Sequence, residues 1–154
     1  MIIQTGELGE REQRYTGEES VSILDLENDS FVRGEDAIHY DLTAHCLNDE
    51  MLVRGKLAVE LICLCSRCAD WFHNILRVPD FVRSYVLSSE NEAIDLTGDM
   101  REDILLALPM NSVCSSECRG LCPGCGVNLN KQACACHPGK PPAAWNVLDQ
   151  LTLT

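Results

Sequence analysis

The chain has 154 residues, a net charge of −12, ten cysteines, 45% apolar residues and 5% aromatic residues. The apolar fraction is enough to build a core, which excludes wholesale disorder and predicts a core made mostly of aliphatic side chains. The charge excludes nonspecific binding of nucleic acid through a basic surface, because that affinity depends on clustered lysine and arginine.

The negative charge is concentrated in the first third of the chain. Residues 1–50 carry 13 acidic and 3 basic side chains, whereas residues 109–154 carry 2 acidic and 3 basic ones. An acidic surface of this kind suits a basic protein partner, or else it serves only to keep the protein soluble.

Residues 1–34 are predicted to form a loosely ordered acidic segment. Residues 1–20 are polar, and residues 21–26 could form a short strand or a helical turn. The first residues have no basic region before a long apolar run, and no stretch is long enough to span a bilayer. We therefore expect the protein in the cytoplasm, where clustered cysteines bind metal rather than form disulfides.

Residues 35–113 are predicted to form an antiparallel β domain. Apolar and polar residues alternate from residue 37 to residue 46 and again in residues 51–64, which indicates two half-buried strands joined by a short polar turn. Residues 71–87 predict one bent strand that Pro79 interrupts. A helix is expected at about residues 96–108, with Asp95 or Thr97 as its cap, and Pro109 ends it.

The predicted fold class is therefore α+β. It combines an antiparallel β-sheet or barrel-like domain and a packed helix with a small C-terminal zinc-knuckle segment rich in cysteine at residues 114–137. Residues 138–154 are expected to form a linker and a short C-terminal helix.

Eight cysteines form four closely spaced pairs, and these are the candidate metal ligands. Zinc binds four thiolates in a tetrahedron, and two cysteines three residues apart in a tight turn can share one ion. In the strongest pair, Pro123 and two glycines favour such a turn. The four pairs are Cys65/Cys68, Cys114/Cys118, Cys122/Cys125 and Cys134/Cys136.

The favoured arrangement contains two structural zinc ions. Cys122/Cys125 with Cys134/Cys136 would close a local loop, and Cys65/Cys68 with Cys114/Cys118 would join the turn between two strands to the segment after the helix. The alternative is one site drawn wholly from the six C-terminal cysteines, with two spare thiols.

The remaining cysteines and two histidines offer further alternatives. Cys46 and Cys63 fall on the apolar faces of their strands and are expected to be small buried side chains. His73 and His137 lie near the pairs and could replace a thiolate ligand. Iron–sulfur ligation by four of the thiolates is a further possibility, as is a thioredoxin-like role for Cys65/Cys68, although the strand-to-helix context of that role is absent.

The sequence contains no pattern that indicates catalysis. We find no glycine-rich phosphate loop, no nucleophile elbow and no open three-ligand metal motif. A closed four-cysteine site leaves no coordination position for water, so we expect a structural role for the metal and no enzymatic activity.

Four features of the sequence resemble the YceD family of large ribosomal RNA subunit accumulation proteins. They are the strand-borne Cys65-Ser-Arg-Cys68, the segment from Ile94-Asp-Leu to Leu-Leu-Ala-Leu-Pro109, the stretch Cys114 to Cys136 with its Gly-Val-Asn-Leu-Asn, and the tail with Ala143-Ala-Trp145. The resemblance covers roughly residues 35–152, and the third feature is the most specific.

The resemblance implies a non-catalytic factor in ribosome biogenesis, needed for large-subunit rRNA to accumulate in bacteria and plastids. Its partner would be a ribosomal precursor, either large-subunit rRNA or a basic ribosomal protein, and we favour the protein. Contact could use Arg67, Arg77, Arg83, Arg119 and Lys131. The competing interpretation is a thiol-based redox or metal-responsive regulatory protein.

Overall fold

The computed structural model describes residues 1–8, 12–88 and 92–136, except for the side chain of Glu7. The predicted C-terminal helix, with Trp145, and the candidate ligand His137 therefore lie outside the described residues. Within them, no helix is both long enough and apolar enough to cross a membrane.

Four long strands form one open antiparallel sheet in the order β2-β3-β4-β5. The strands are β2 (Gln13–Glu19), β3 (Val32–Leu47), β4 (Glu50–Leu64) and β5 (Trp71–Val86). Strands β1 (Ile2–Gln4) and β6 (Ala93–Asp95) pair antiparallel in a second, two-stranded sheet. One α-helix among the described residues, α1 (Thr97–Ala107), completes the α+β fold that was predicted.

The sheet buries one face, as the alternating pattern predicted. Ile38 and Leu42 of β3 and Val59 of β4 are at most 1% exposed. Helix α1 packs against this side and contributes Met100 and Ile104 to the same core. Apolar residues that alternate on long strands therefore place the core between the sheet and the helix.

The expected interruption at Pro79 is a β-bulge. Gly55 pairs with Phe81 and Leu57 with Val78, so two residues of β5 stand opposite one residue of β4. Proline lacks the N–H of a regular ladder, and a bulge on an edge strand accommodates it. The strand therefore continues through Pro79 instead of ending there.

The expectation of a loosely packed N-terminal segment is wrong for residues 1–8 and 12–20. Strand β2 pairs along its whole length with β3, and Ile3 and Leu8 are buried in the core. Residues 21–26 begin with a 3-10 helix, Val21–Leu24, which is the helical alternative. The predicted boundary at residue 34 falls inside β3; the division into folding units itself stays a prediction.

Candidate metal sites

The first thiol group contains Cys65, Cys68, Cys114 and Cys118, whose sulfur atoms all lie within 4.8 Å of one another. Sγ of Cys65 lies 3.8 Å from Sγ of Cys118, and the same distance separates Cys68 from Cys114. A tetrahedron with zinc–sulfur bonds of about 2.3 Å has edges of about 3.8 Å. The sulfur spacing therefore fits a tetrahedral metal ion.

The fold brings the first group together from two places, the turn between β4 and β5 and the segment after α1. Cys65 directly follows β4, and the turn that leads into β5 carries Cys68. The turn is closed by the N–H of Cys65, which donates to the carbonyl of Asp70 over 2.9 Å. The segment after α1 then supplies Cys114, whose N–H donates to Sγ of Cys65 over 3.4 Å.

The second thiol group contains Cys122, Cys125, Cys134 and Cys136, again with all sulfurs within 4.8 Å of one another. A tight turn begins at Cys122, whose carbonyl accepts the N–H of Gly126 over 2.8 Å. The N–H of Gly124 points at Sγ of Cys122, 3.4 Å away. This geometry resembles a metal-binding knuckle, since N–H groups that face sulfur stabilise thiolate.

All ten cysteines carry free thiols, and the structure groups eight of them in the two sets of four that the pairing predicted. The alternative of one site built from the six C-terminal cysteines is not seen among the described residues. Each group could hold one metal ion, and their assignment as metal ligands stays a prediction.

The pKa values of the first group diverge. Burial raises the pKa of Cys65, but hydrogen bonds from backbone N–H groups, first that of Cys114, outweigh it and lower the pKa to about 6. The amide of Asn130 lowers the pKa of Cys118. The hydrogen bond that Cys114 makes with Cys118 raises the pKa of Cys114 to about 12. Adjacent thiolates repel one another, so only a bound cation would let all four ionise.

In the second group, too, one thiol has a lowered pKa and another has a raised pKa. Hydrogen bonds from the N–H groups of Gly124 and Cys125 lower the pKa of Cys122 to about 6. The thiol of Cys136, bonded to that of Cys125, has its pKa raised to about 12. The donor set of each group thus fits a divalent cation with an affinity for sulfur.

The two groups differ in exposure. In the first, Cys65, Cys68 and Cys118 are at most 7% exposed, and only Cys114 is exposed. In the second, Cys122 is buried but Cys125 and Cys136 are exposed. Solvent therefore reaches the second group more readily.

The other candidate ligands lie elsewhere. Cys63 is fully buried in the core, as predicted, and Cys46 is partly buried against it. Burial raises the pKa of Cys46. Nδ1 of His73 lies 2.5 Å from a carboxylate oxygen of Glu35, and His73 is not part of either thiol group.

Three of the five candidate contact residues have partners within the protein. Arg83 pairs with two aspartates of α1, and Nζ of Lys131 lies 2.8 Å from Asp70. Arg67 donates to two backbone carbonyls at 3.2 and 3.3 Å. Among the described residues, the exposed side chains of Arg77 and Arg119 have no such partner.

Sequence reasoning assigned no role to Asn128, Asn130 and Asp70, which surround the first group. Nδ2 of Asn130 donates to Sγ of Cys118 over 3.3 Å, and Nδ2 of Asn128 donates to Asp70 over 2.7 Å. The available signal was the spacing of two asparagines two residues apart just after the Cys122 knuckle.

The fold and the thiol groups define a class: a small antiparallel β protein with two closed sets of four cysteines, one of which joins the β4–β5 turn to the segment after α1. Within this class, residues 79–152 match the family model of the large ribosomal RNA subunit accumulation protein YceD. This match and the names of the plant relatives confirm the predicted resemblance of the chain to the YceD family.

The relatives are partial matches. An uncharacterized protein of Mycobacterium tuberculosis is 29% identical over 103 residues, which cover 58% of this chain and 50% of the relative. The chloroplastic large ribosomal RNA subunit accumulation protein YCED homolog 1 of Arabidopsis thaliana is 38% identical over 62 residues, covering 40% of this chain and 19% of the relative. Its Zea mays counterpart is 39% identical over 49 residues, with 31% and 17% covered.

The chain thus spans about half the length of the mycobacterial relatives that it matches. No solved structure gives a significant match.

Proposed function

We propose that this protein is a non-catalytic, cytoplasmic factor in ribosome biogenesis that supports the synthesis, processing or accumulation of large-subunit rRNA. The observation that carries the proposal is the match of residues 79–152 to the YceD family model. The matched stretch contains six of the eight grouped cysteines, and the plant relatives are named for accumulation of large-subunit rRNA.

We infer that the metal is zinc and that each thiol group holds one structural ion. Four thiolates in a closed tetrahedron suit zinc, which has no geometric preference of its own. Such a site leaves no position for substrate or water, so its contribution is to the fold.

We infer that the direct partner is a basic ribosomal protein rather than rRNA. Three of the five candidate contact side chains, those of Arg67, Arg83 and Lys131, already pair with groups of the protein itself. Less positive charge is therefore available to bind phosphate. Residues 25–36, by contrast, contain five exposed acidic side chains, namely those of Asp25, Glu27, Asp29, Glu35 and Asp36. A concentrated negative surface attracts a basic protein and accelerates the encounter.

The test compares two binding partners for the zinc-loaded protein. Pull-down with isolated ribosomal proteins and gel shifts with large-subunit rRNA fragments are run over a salt series. A triple variant, Asp25→Asn with Glu27→Gln and Asp36→Asn, should weaken binding of a ribosomal protein at least several-fold. The matched control neutralises three exposed acids outside residues 25–36, namely Asp49, Glu60 and Asp80.

The result decides the partner. The proposal requires capture of a basic ribosomal protein by the parent and the control, and loss with the triple variant. Tight rRNA binding with a steep salt slope, unaffected by the triple variant and abolished by Arg77→Glu with Arg119→Glu, would replace the protein partner by rRNA.

A second candidate is a thiol-based redox or metal-responsive regulator, favoured by the exposure of Cys125 and Cys136. Hydrogen peroxide would take two electrons from a pair of thiolates and two protons from solvent, which forms a disulfide and two water molecules, and the metal would leave because it has lost two ligands. Fast, reversible zinc release at mild peroxide levels would support this role. Retention of both ions under the same conditions would exclude it.

A further inference from the structure

The side chain of Asn130 joins the two thiol groups, although it lies in the loop of the second. Its Nδ2 donates to Sγ of Cys118 in the first group over 3.3 Å, and its Oδ1 accepts the N–H of Arg119 over 2.8 Å. The oxygen is bound to an N–H donor, so the nitrogen must face the sulfur. An amide satisfies both contacts, whereas a carboxylate could accept from Arg119 but could not donate to Cys118.

The same loop is fastened to the turn of the first group through Asp70. Nδ2 of Asn128 donates to Asp70 over 2.7 Å, and Nζ of Lys131 donates to its other oxygen over 2.8 Å. Oδ1 of Asn128 accepts the backbone N–H of Asn130 over 2.9 Å, which holds the backbone of Asn130 in the turn. The carbonyl of Asp70 in turn accepts the N–H of Cys65.

Closure of the second thiol group holds this loop in place. The loop occupies residues 126–133, between Cys125 and Cys134, and none of residues 123–136 belongs to the buried apolar clusters. Without apolar anchors, the entropy cost of ordering the loop must be offset by its hydrogen bonds and by metal closure. Opening the second group would therefore loosen the loop and weaken the contact of Asn130 with Cys118, although the bonds to Asp70 and Arg119 would still hold the loop near the first group.

We propose that Asn130 is a positioning residue for the first thiol group and that it couples the two groups. Metal bound in the second group orders the loop, the loop supplies a donor to the Cys118 thiolate, and the affinity of the first group rises. The inference rests on the metal binding proposed above. Donors to metal ligands typically change metal affinity by about 10- to 100-fold, so we expect about tenfold here. Coupling is reciprocal, so filling the first group raises the affinity of the second by the same factor.

The first experiment measures zinc affinity of the full chain by competition with a chelator. Asn130→Asp keeps the size of the side chain and its acceptor for Arg119 but removes the donor to Cys118. It should weaken the first group about tenfold. Gln132→Ala, an exposed position in the same loop, is the matched control and should leave both affinities unchanged.

The second experiment tests the coupling with a double-mutant cycle. Cys122→Ser with Cys134→Ser removes the second group, and the zinc affinity of the first group is then measured with and without the further substitution Asn130→Ala. Loss of the second group should weaken the first about tenfold in the parent and much less in the Asn130→Ala background. Additive losses would overturn the coupling.

Two further readouts separate positioning from general stability. Cobalt bound to the first group gives a sulfur-to-cobalt charge-transfer band in the absorption spectrum. Asn130→Asp should shift this band, whereas Gln132→Ala should not. Unfolding midpoints of the metal-free proteins should agree between parent and variant. Unchanged affinity and absorption in the Asn130→Asp variant would refute the positioning role, whereas failure of the parent to bind any zinc would refute the proposed metal sites themselves.

Discussion

At the residue scale, Gly120 is a position where the backbone of residues 114–136 passes close to the turn of the first group. Its φ is +72°, and a Cβ there would lie 3.1 Å from the carbonyl oxygen of Arg67. That same oxygen accepts the N–H of Leu121 over 3.0 Å. Close approach and left-handed backbone together require glycine.

Gly120→Ala should therefore lower the free energy of unfolding of the zinc-loaded protein by about 1–2 kcal/mol, because alanine disfavours this conformation. Gly98→Ala is the control: it lies in α1 with open space around it, and should be neutral or stabilising by up to about 1 kcal/mol. Chemical denaturation measures both. Equal stability of the Gly120→Ala variant and the parent would contradict the close approach.

Tyr85 gives a pH-dependent prediction at the same scale. Burial and the hydrogen bond to the carboxylate of Asp99 raise the pKa of Tyr85 well above its usual value near 10. The protonated phenol is the form that the folded state favours, so its contribution is full below about pH 10 and is lost as the pH rises above that value.

The stability difference between the parent and Tyr85→Phe should therefore be constant from about pH 7 to 9 and shrink at higher pH. Urea unfolding at each pH measures it, and the subtraction removes the titration of other groups. A difference that stays constant above about pH 10 would show that the phenol is not bound to Asp99 in the folded state.

At the element scale, Arg83 fastens helix α1 to strand β5. Nε of Arg83 lies 3.1 Å from Asp99, and its guanidinium also pairs with Asp103, one helical turn further along. The side chain of Arg83 is 26% exposed, so solvent only partly screens these pairs. The pairs explain how a short helix with only two buried residues keeps its position on the sheet.

Replacing Arg83 by Met should cost about 1–3 kcal/mol in the free energy of unfolding, since two carboxylates lose a charged partner. Arg54→Met is the matched control, because its pair with Glu12 is more than two-fifths exposed on both sides and should contribute less than about 1 kcal/mol. Thermal unfolding measures the stability of both variants. Equal losses of stability would show that the ion pairs of Arg83 do not hold α1 on β5.

Several elements were predictable because their signals are local. The alternation of apolar and polar residues predicts β4 and the second part of β3. The close spacing of each cysteine pair predicts the turns that carry the thiols. The start of β3 was missed because residues 33–36 are all exposed and break the alternation. Strand β1 was missed because its partner β6 lies about ninety residues away, and no local pattern reports that pairing.

The site shows the same division between local and distant information. Cysteine spacing predicted which sulfurs meet, whereas the role of Asn130 depends on its approach to Cys118 and could not be derived from spacing alone. Likewise, Arg83 was a candidate for partner contact on charge, and only the packing of α1 on β5 shows that its guanidinium is already paired.

At the scale of the whole molecule, the apolar core and the thiol groups are separate units. The core lies between the sheet and α1, while Cys65, Cys68 and Cys118 form a second, small buried cluster with Phe72 at its edge. The core can thus remain buried without the metal, whereas residues 114–136, in which Cys118 and Cys122 are buried, depend on the thiols for their order.

Removal of the proposed zinc by a chelator under reducing conditions should therefore unfold residues 114–136 and leave the sheet folded. Hydrogen exchange should show loss of protection in residues 114–136 and in the turn at residues 65–70, with protection kept in the centre of β3 and β4. Circular dichroism should retain the β signal, and adding back zinc should restore the lost protection. Simultaneous loss of protection in the sheet would show that the metal sites hold the whole fold together, and that the core buried between β4 and α1 is not sufficient by itself.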